Sequence, residues 1–297
     1  MLIAQLSDLH IVPEGQLCQN KVETHRHLRN AVAHINSLTP KPDAILVTGD
    51  LADYGSPEEY QLIRSILNDL ASPFFIVPGN HDRRTNLLAE FSDHPYLPAP
   101  ESKHVLFTID DFQVRLIGLD TALFGEPYGR LCSTRLDWLD QTLTKAPETP
   151  TIIFMHHPPF RTGIRWIDAA GLYGGRKMEE IVARHPQIQR VLCGHVHRPI
   201  QVPWGGTLAC TAPSSSHAQV TLSLNESSGY QFAYSMEPFA IQLFQWDSSY
   251  GLVNHTSYIL SSETYAPGYA QELRERFRNA YRELCTQEYE FSSRSRQ

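Results

Sequence analysis

The chain has 297 residues, 25 Lys and Arg against 32 Asp and Glu, a formal charge of -7 and a hydrophobic fraction of 41%. This composition supports a sizeable globular core, and its mild acidity argues against a broad basic face for duplex nucleic acid. No apolar run approaches the ~18 residues of a membrane span, and five scattered cysteines (Cys18, Cys132, Cys193, Cys210, Cys285) without a CxxC pair exclude a disulfide framework or thiolate zinc site. The first residues, MLIAQLSDLH, have no basic segment followed by an apolar one and a cleavage site, so a cytoplasmic location is expected.

In chain order, Leu2–Leu6 predicts a short buried strand. Leu28, Ala31, Val32, Ile35 and Leu38 then share one face of a helix over 25–38. A second strand is predicted at Ala44–Thr48. The next helix opens at Ser56-Pro57-Glu58-Glu59, with Ser56 as N-cap, Pro57 in the first helical position and Glu59 closing a capping box. Its buried face is predicted to hold Tyr60, Ile63, Leu67 and Leu70. A third strand lies at Phe74–Val77, and 104–109 with 114–119 read as a hairpin around Asp110-Asp111-Phe112. Beyond these come a helix at 134–144, a strand at 151–155, a helix at 176–185 and strands at 190–193 and 208–211. A hairpin at 240–246 and 252–259 and a helix near 268–285, with Leu273, Phe277, Tyr281 and Leu284 on one face, close the chain. Alternation of strand and helix predicts an α/β fold with helices over a largely parallel sheet, and the hairpins predict a second, more antiparallel one. Without internal repeat or linker, 1–297 reads as one domain, with a core of about 1–220 and an elaboration of about 221–297.

The chemistry-bearing residues fall where strands end. The exits read Asp8-Leu9-His10, Gly49-Asp50, Gly79-Asn80-His81-Asp82, His156-His157 and Gly194-His195-Val196-His197. Any one of these is commonplace. Five together place oxygen and imidazole donors at the carboxyl ends of strands, where open α/β sheets bind ligands. Carboxylates, one carboxamide and several imidazoles, without thiolates, suit Mn²⁺, Fe²⁺/Fe³⁺, Co²⁺ or Zn²⁺. The donors suffice for two ions if one carboxylate bridges them, and Asp50 is the natural bridge. Two metals ~3.5–4 Å apart form a clamp for in-line displacement at phosphorus. Two divalent ions against two carboxylates, a hydroxide and a diester leave the site roughly neutral as the transition state forms.

This set, Asp8-x-His10, Gly49-Asp50, Gly79-Asn80-His81-Asp82, His156 and Gly194-His195-x-His197, resembles the calcineurin-like metallophosphoesterase superfamily. Ser7-Asp8-Leu9-His10, Pro57-Glu58-Glu59-Tyr60 and Phe154-Met155-His156-His157-Pro158-Pro159 are most similar to its bacterial glycerophosphodiesterases and class III cyclic-nucleotide phosphodiesterases. The resemblance implies a four-layer α/β/β/α sandwich with a C-terminal elaboration. It also implies hydrolysis of small phosphodiesters by in-line attack of metal-bound hydroxide. One ion would be held by Asp8, His10, Asp50 and His197, and the other by Asp50, Asn80, His156 and His195. His81 would lie over the substrate, Asp53 would orient His81, and His217 would reach the metal-bound water. For Asp53 and His217 the competing reading is an exposed loop residue. His157 is expected to support the site or pack beside it.

The segment 160–176 comes directly after His156 and its neighbours and offers Arg161, Arg165 and Trp166 as substrate-binding groups, against the alternative of an ordinary surface crossover. Tyr230, Phe232, Tyr234 and Phe239 look too apolar for an idle surface, and the related phosphodiesterases self-associate, so a homo-oligomer is expected. A non-catalytic metal-binding module would lack ligands, and none is missing. A protein Ser/Thr phosphatase would carry Arg in the GDxxDRG pattern where this chain has Tyr54. The expected partner is therefore a small phosphodiester, glycerol-based or of broad range, with a 3′,5′-cyclic nucleotide as the alternative. Neither duplex nucleic acid nor membrane is expected as a partner.

Overall fold

The apolar runs line up in two sheets whose strand ends fix where chemistry can occur. The computed structural model describes residues 1–222, 224, 233–259, 278 and 280. Its elements are β1 (Leu2–Leu6), α1 (Thr24–Ser37), β2 (Ala44–Thr48), α2 (Pro57–Leu67), β3 (Phe74–Val77), α3 (Arg84–Glu90), β4 (Leu106–Ile109), β5 (Arg115–Leu119), β6 (Gly129–Arg130), α4 (Ser133–Thr144) and β7 (Thr151–Phe154). After these come α5 (Arg165–Ala169), β8 (Leu172–Tyr173), α6 (Gly175–Val182), β9 (Ile188–Cys193), β10 (Ile200–Trp204), β11 (Thr207–Thr211), β12 (Gln219–Val220), β13 (Tyr234–Ser235), β14 (Ala240–Asp247) and β15 (Gly251–Tyr258). Met1–Asp247 and Gly251–Ile259 form one compact unit. The predicted C-terminal helix positions Leu273, Phe277, Tyr281 and Leu284 lie outside the described residues, as do Tyr230 and Phe232.

One sheet has the order β15-β14-β1-β2-β3 and the other β10-β11-β9-β7-β5-β4. The first is parallel from β1 to β3 and gains the antiparallel hairpin β14–β15 beside β1. The second is parallel through β5, β7, β9 and β11, with antiparallel β4 and β10 at its edges. The two predicted hairpins, β4–β5 and β14–β15, are thus not gathered in one sheet but lie at the edges of two, contrary to the sequence expectation, while β12 and β13 form a separate antiparallel pair. Parallel neighbours need a crossover, whereas short-looped strands pair directly and extend an existing edge. Pro203 lies in β10, at such an edge, where a missing N–H is tolerated.

Period-two alternation sorts the second sheet into two faces. Leu116, Ile152, Phe154, Leu192 and Cys210 join the cluster that holds the first sheet, together with Leu28 and Ile35 of α1 and Tyr60 and Ile63 of α2. Ile117, Ile153, Val191, Cys193 and Ala209 join Leu136 and Leu139 of α4 and Met178 and Ile181 of α6. The result is the four-layer α/β/β/α sandwich. Full burial of each such aliphatic side chain contributes roughly 1.5–3 kcal/mol. The capping box forms as expected: Glu59 N donates to Ser56 Oγ at 3.3 Å, and Ser56 N donates to Glu59 Oε2 at 2.8 Å. Leu70 falls beyond the end of α2, and Ile66 takes its place on the buried face. Phe239 is only 7% exposed and packs against His27, so it belongs to the interior rather than to an apolar surface.

Candidate metal centre

The parallel strands β1, β2, β7 and β9 deliver their final residues to one edge, and main-chain bonds lace the adjoining loops together. Asp8 N donates to Gly49 O, His10 N to Asp50 O, and Gly194 N to His156 O. The turns are tight enough that Asp8, His10, Asp50, His195 and His197 all adopt positive φ, between 45° and 71°. Non-glycine residues rarely do so, and such strain concentrates at functional sites. Two glycines make room. A Cβ on Gly79 would lie 2.2 Å from Asp50 Oδ1, and one on Gly194 would lie 2.3 Å from Ser7 Oγ.

Two groups of ligand atoms meet at Asp50. In the first, His10 Nε2 and His197 Nε2 are 3.1 Å apart, with Asp8 Oδ1 3.5 Å from His197 Nε2. In the second, His156 Nε2 lies 3.0 Å from Asn80 Oδ1, and His195 Nδ1 lies 3.0 Å from the same oxygen. Asp50 Oδ2 reaches both, at 3.6 Å from His10 Nε2 and 3.2 Å from His156 Nε2. Its other oxygen accepts from His81 N at 2.9 Å, which fixes the carboxylate plane.

The hydrogen bonds of the rings show which of their nitrogens are free to bind a cation. His10 Nδ1 donates to Asp53 Oδ1, His197 Nδ1 to Ala218 O and His156 Nδ1 to Thr48 O. With Nδ1 so committed, each ring in its neutral form points an Nε2 lone pair at another acceptor, an arrangement that a shared cation relieves. His195 Nε2 and His217 Nε2 are buried with no partner among the described residues. Burial opposes charge on Asp50, but His156, His81 and His10 outweigh it and hold the carboxyl well below its usual range. Burial also opposes charge on His156, yet Asp50 and Asp8 raise it to about 9. His195 and His197, dominated by burial and neighbouring imidazoles, fall to about 3. Such a set of buried carboxylates, one carboxamide and several imidazoles, lacking thiolates, fits hard or borderline divalent ions.

Around this set, Asp53 faces two histidines: its carboxylate Oδ1 lies 3.1 Å from His10 Nδ1 and 3.5 Å from His81 Nδ1, and its main-chain carbonyl accepts from His81 Nδ1 at 2.8 Å. The backbone of Asp53, more than its side chain, orients His81. His217 is 1% exposed, and its ring lies 4.9 Å from that of His10, which removes the exposed-loop alternative. His157 has both ring nitrogens engaged, by Thr121 Oγ1 at 2.9 Å and Pro127 O at 3.2 Å. Sequence reasoning passed over two supports. Ser214 and Ser216 donate their hydroxyls to the carbonyls of Asp8 and Leu9, at 2.7 and 2.6 Å. Asp82 accepts from the backbone of Leu51, Ala52 and Gly79 and from Tyr60 Oη, tying the Asp50 loop to the Asn80 loop. The run Ser214-Ser215-Ser216 and the Asp that closes Gly79-Asn80-His81-Asp82 were the available signals.

Comparison with known proteins bears directly on this constellation. Residues 1–199 match the sequence profile of the Calcineurin-like phosphoesterase family. The chain belongs to that family. It is 40% identical over 273 residues, 92% of this chain and 98% of the other, to a probable glycerophosphodiester phosphodiesterase, GpdQ, of Arcobacter nitrofigilis. It is 29% identical over 213 residues, 72% of this chain and 75% of the other, to the 3′,5′-cyclic adenosine monophosphate phosphodiesterase CpdA of Escherichia coli K12. Among solved structures, a dimetal phosphatase from Danio rerio superposes with a TM-score of 0.61 at 12% identity, covering 88% of this chain and 99% of that one, which supports the fold.

In this phosphoesterase the site opens into a cavity of about 350 Å³ lined by His10, Asp50, Asn80, His81, His195 and His197, with Trp166, Ile167 and Tyr234 as its apolar wall. Tyr234 reaches in from β13, its ring 5.1 Å from His217 and 6.1 Å from Trp166. Of the three substrate-binding residues expected from 160–176, Trp166 lines this cavity. Arg161 lines a neighbouring one of about 460 Å³, and Arg165 is an exposed residue at the start of α5 that lines neither. Among the described residues, no helix is long and apolar enough to cross a membrane.

Proposed function

We propose that this protein is a two-metal phosphodiesterase for small diesters. The observation that carries the reading is Asp50 Oδ2, shared between two groups of ligand atoms. Asp8, His10, Asp50 and His197 would hold one ion, and Asp50, Asn80, His156 and His195 the other. Bound there, Mn²⁺, Fe, Co²⁺ or Zn²⁺ would supply Lewis acidity toward phosphate oxygens and a water of lowered pKa. The chain's own part is orientation and proton handling. Asp53 and Thr48 fix the ring planes of His10 and His156. His81, with Nδ1 committed to a carbonyl, carries Nε2 to the cavity, where a proton can be held against a phosphate or leaving-group oxygen. His217, also beside the first group, has its pKa pushed down to about 2, first by burial, so it stays neutral, and its Nε2 is an acceptor with no partner among the described residues.

A diester is favoured over a monoester on charge. Two divalent ions, two carboxylates and a hydroxide leave about one net positive charge, which matches a monoanion. Tyr54 stands where a protein phosphatase would add an Arg to grip a dianion. The names of the relatives favour glycerophosphodiesters. The Trp166 and Tyr234 rings on the cavity wall favour a second reading, a 3′,5′-cyclic nucleotide whose base would pack against one of them. With Mn²⁺ at fixed pH, kcat/KM for bis(p-nitrophenyl) phosphate is expected to exceed that for p-nitrophenyl phosphate at least ~10-fold, the scale of one charge-assisted contact. Equal values or a monoester preference would sink the reading.

The same reading places the enzyme in the cytoplasm, in keeping with free Cys18, Cys132, Cys193 and Cys210. It also treats the chain as one phosphoesterase domain that self-associates. Light scattering at micromolar concentration should return a mass above the monomer, and a monomeric mass would count against self-association.

A further inference from the structure

A second groove, of about 330 Å³, meets the metal-site cavity at Asn80, His81 and Pro127. Further out it is lined by Tyr54 and Arg83 and by the loop of Phe124, Gly125 and Glu126, and the Arg83 guanidinium and Phe124 ring meet to form one of its sides. Both parts of this lining are held in place. Arg83 donates through Nε to Tyr54 O at 3.2 Å, its backbone N donates to Tyr60 Oη, and its guanidinium lies 5.5 Å over the Phe124 ring. Gly55, at φ 72°, allows this, because a Cβ there would lie 2.6 Å from Arg83 Cγ. The loop of Phe124, Gly125 and Glu126 is held at both ends. At its base, buried Asp120 is bonded by Arg84, and the carbonyl of Ala122 accepts from Arg84 and Arg135. At its far end, Pro127 O accepts from His157. Phe124 is nonetheless 67% exposed at the groove.

Arg83 and Glu126 line this groove without forming an ion pair with each other, and neither carboxylate nor guanidinium has another salt-bridge partner among the described residues. The terminal amino groups of Arg83 offer donors and Glu126 offers an acceptor. A hydroxyl group satisfies both, whereas a cationic arm meets Arg83 and an anionic one meets Glu126. A diester bound at Asn80 and His81 has two ester arms, and two cavities diverge from that point. We propose that the Arg83–Phe124–Glu126 groove is a second ester-arm subsite that takes a neutral, hydroxyl-bearing alcohol. This rests on the phosphodiesterase reading and deepens it toward acyclic diesters, since a 3′,5′-cyclic nucleotide has both esters on one sugar and sends no second arm outward.

The test compares glyceryl p-nitrophenyl phosphate with methyl p-nitrophenyl phosphate in the Mn²⁺-loaded full chain. The unaltered protein should prefer the glyceryl ester in kcat/KM, with the preference residing in KM. Arg83→Met should lower the glyceryl-to-methyl ratio ~10–100-fold, the scale of a lost hydrogen bond to a charged group, and Glu126→Leu should lower it in the same direction. Both residues lie on the surface of the groove, so metal content and melting temperature report whether either variant folds. No glyceryl preference, or variants that leave the ratio unchanged, would overturn the subsite while the diesterase reading stands. Inactivity of the unaltered protein on both esters would overturn that reading and the subsite with it.

Discussion

Asp50→Ala is expected to lower kcat/KM on a phosphodiester by ~10³-fold or more, because one carboxylate oxygen serves both groups of ligand atoms. Elemental analysis should find both ions reduced. Asn80→Ala, which removes a neutral ligand from one group only, should mainly deplete that one. Asp50→Asn separates charge from backbone strain. Asparagine tolerates the positive φ of 50° found here, so a comparable loss in this variant assigns the effect to the missing charge. Retention of two ions per chain by Asp50→Ala would contradict the shared-ligand role.

His81→Ala should lower kcat by ~10²–10⁴-fold, the usual cost of losing a group that moves or holds a proton, with metal content near normal. The separation is sharp because alanine keeps the N–H that His81 donates to Asp50 Oδ1. Only the imidazole is lost, with its bond to Asp53 O and its face on the cavity. Depletion of metal in this variant would make His81 a ligand, a possibility its proximity to His10 and Asp53 makes concrete. An unchanged rate would remove it from the reaction.

Much of this centre was legible because its residues lie at strand exits. A run such as Ala44–Thr48 announces a buried parallel strand, and the residues after it must emerge at a sheet edge; five such exits carried oxygen and imidazole donors of the kind that bind metals. Spacing did not reveal that the ligands at positive φ must be pinned from outside their own loops. Ser214 and Ser216 do so across about two hundred residues of sequence, and no local pattern encodes a contact that distant. Asp53 was seen, but a sequence cannot show that its carboxylate meets both His10 and His81 while its carbonyl takes the shorter bond from His81. The hairpins were found correctly as pairs and assigned wrongly as a sheet, because periodicity gives a strand its partner within a hairpin and not the edge that receives it. Tyr234 was read as part of an apolar surface. It is exposed, and its ring also lies beside His197 and His217, on the wall of the site cavity.

The most direct test of a shared two-metal centre is a titration of the chelated protein with Mn²⁺, tracking bound ions per chain and the rate on bis(p-nitrophenyl) phosphate together. Activity should be absent without metal and complete only at two ions per chain, with the Asn80 group filling last because it gathers less negative charge than the Asp8 group. Full activity in metal-free protein, or a plateau at one ion per chain, would contradict the account.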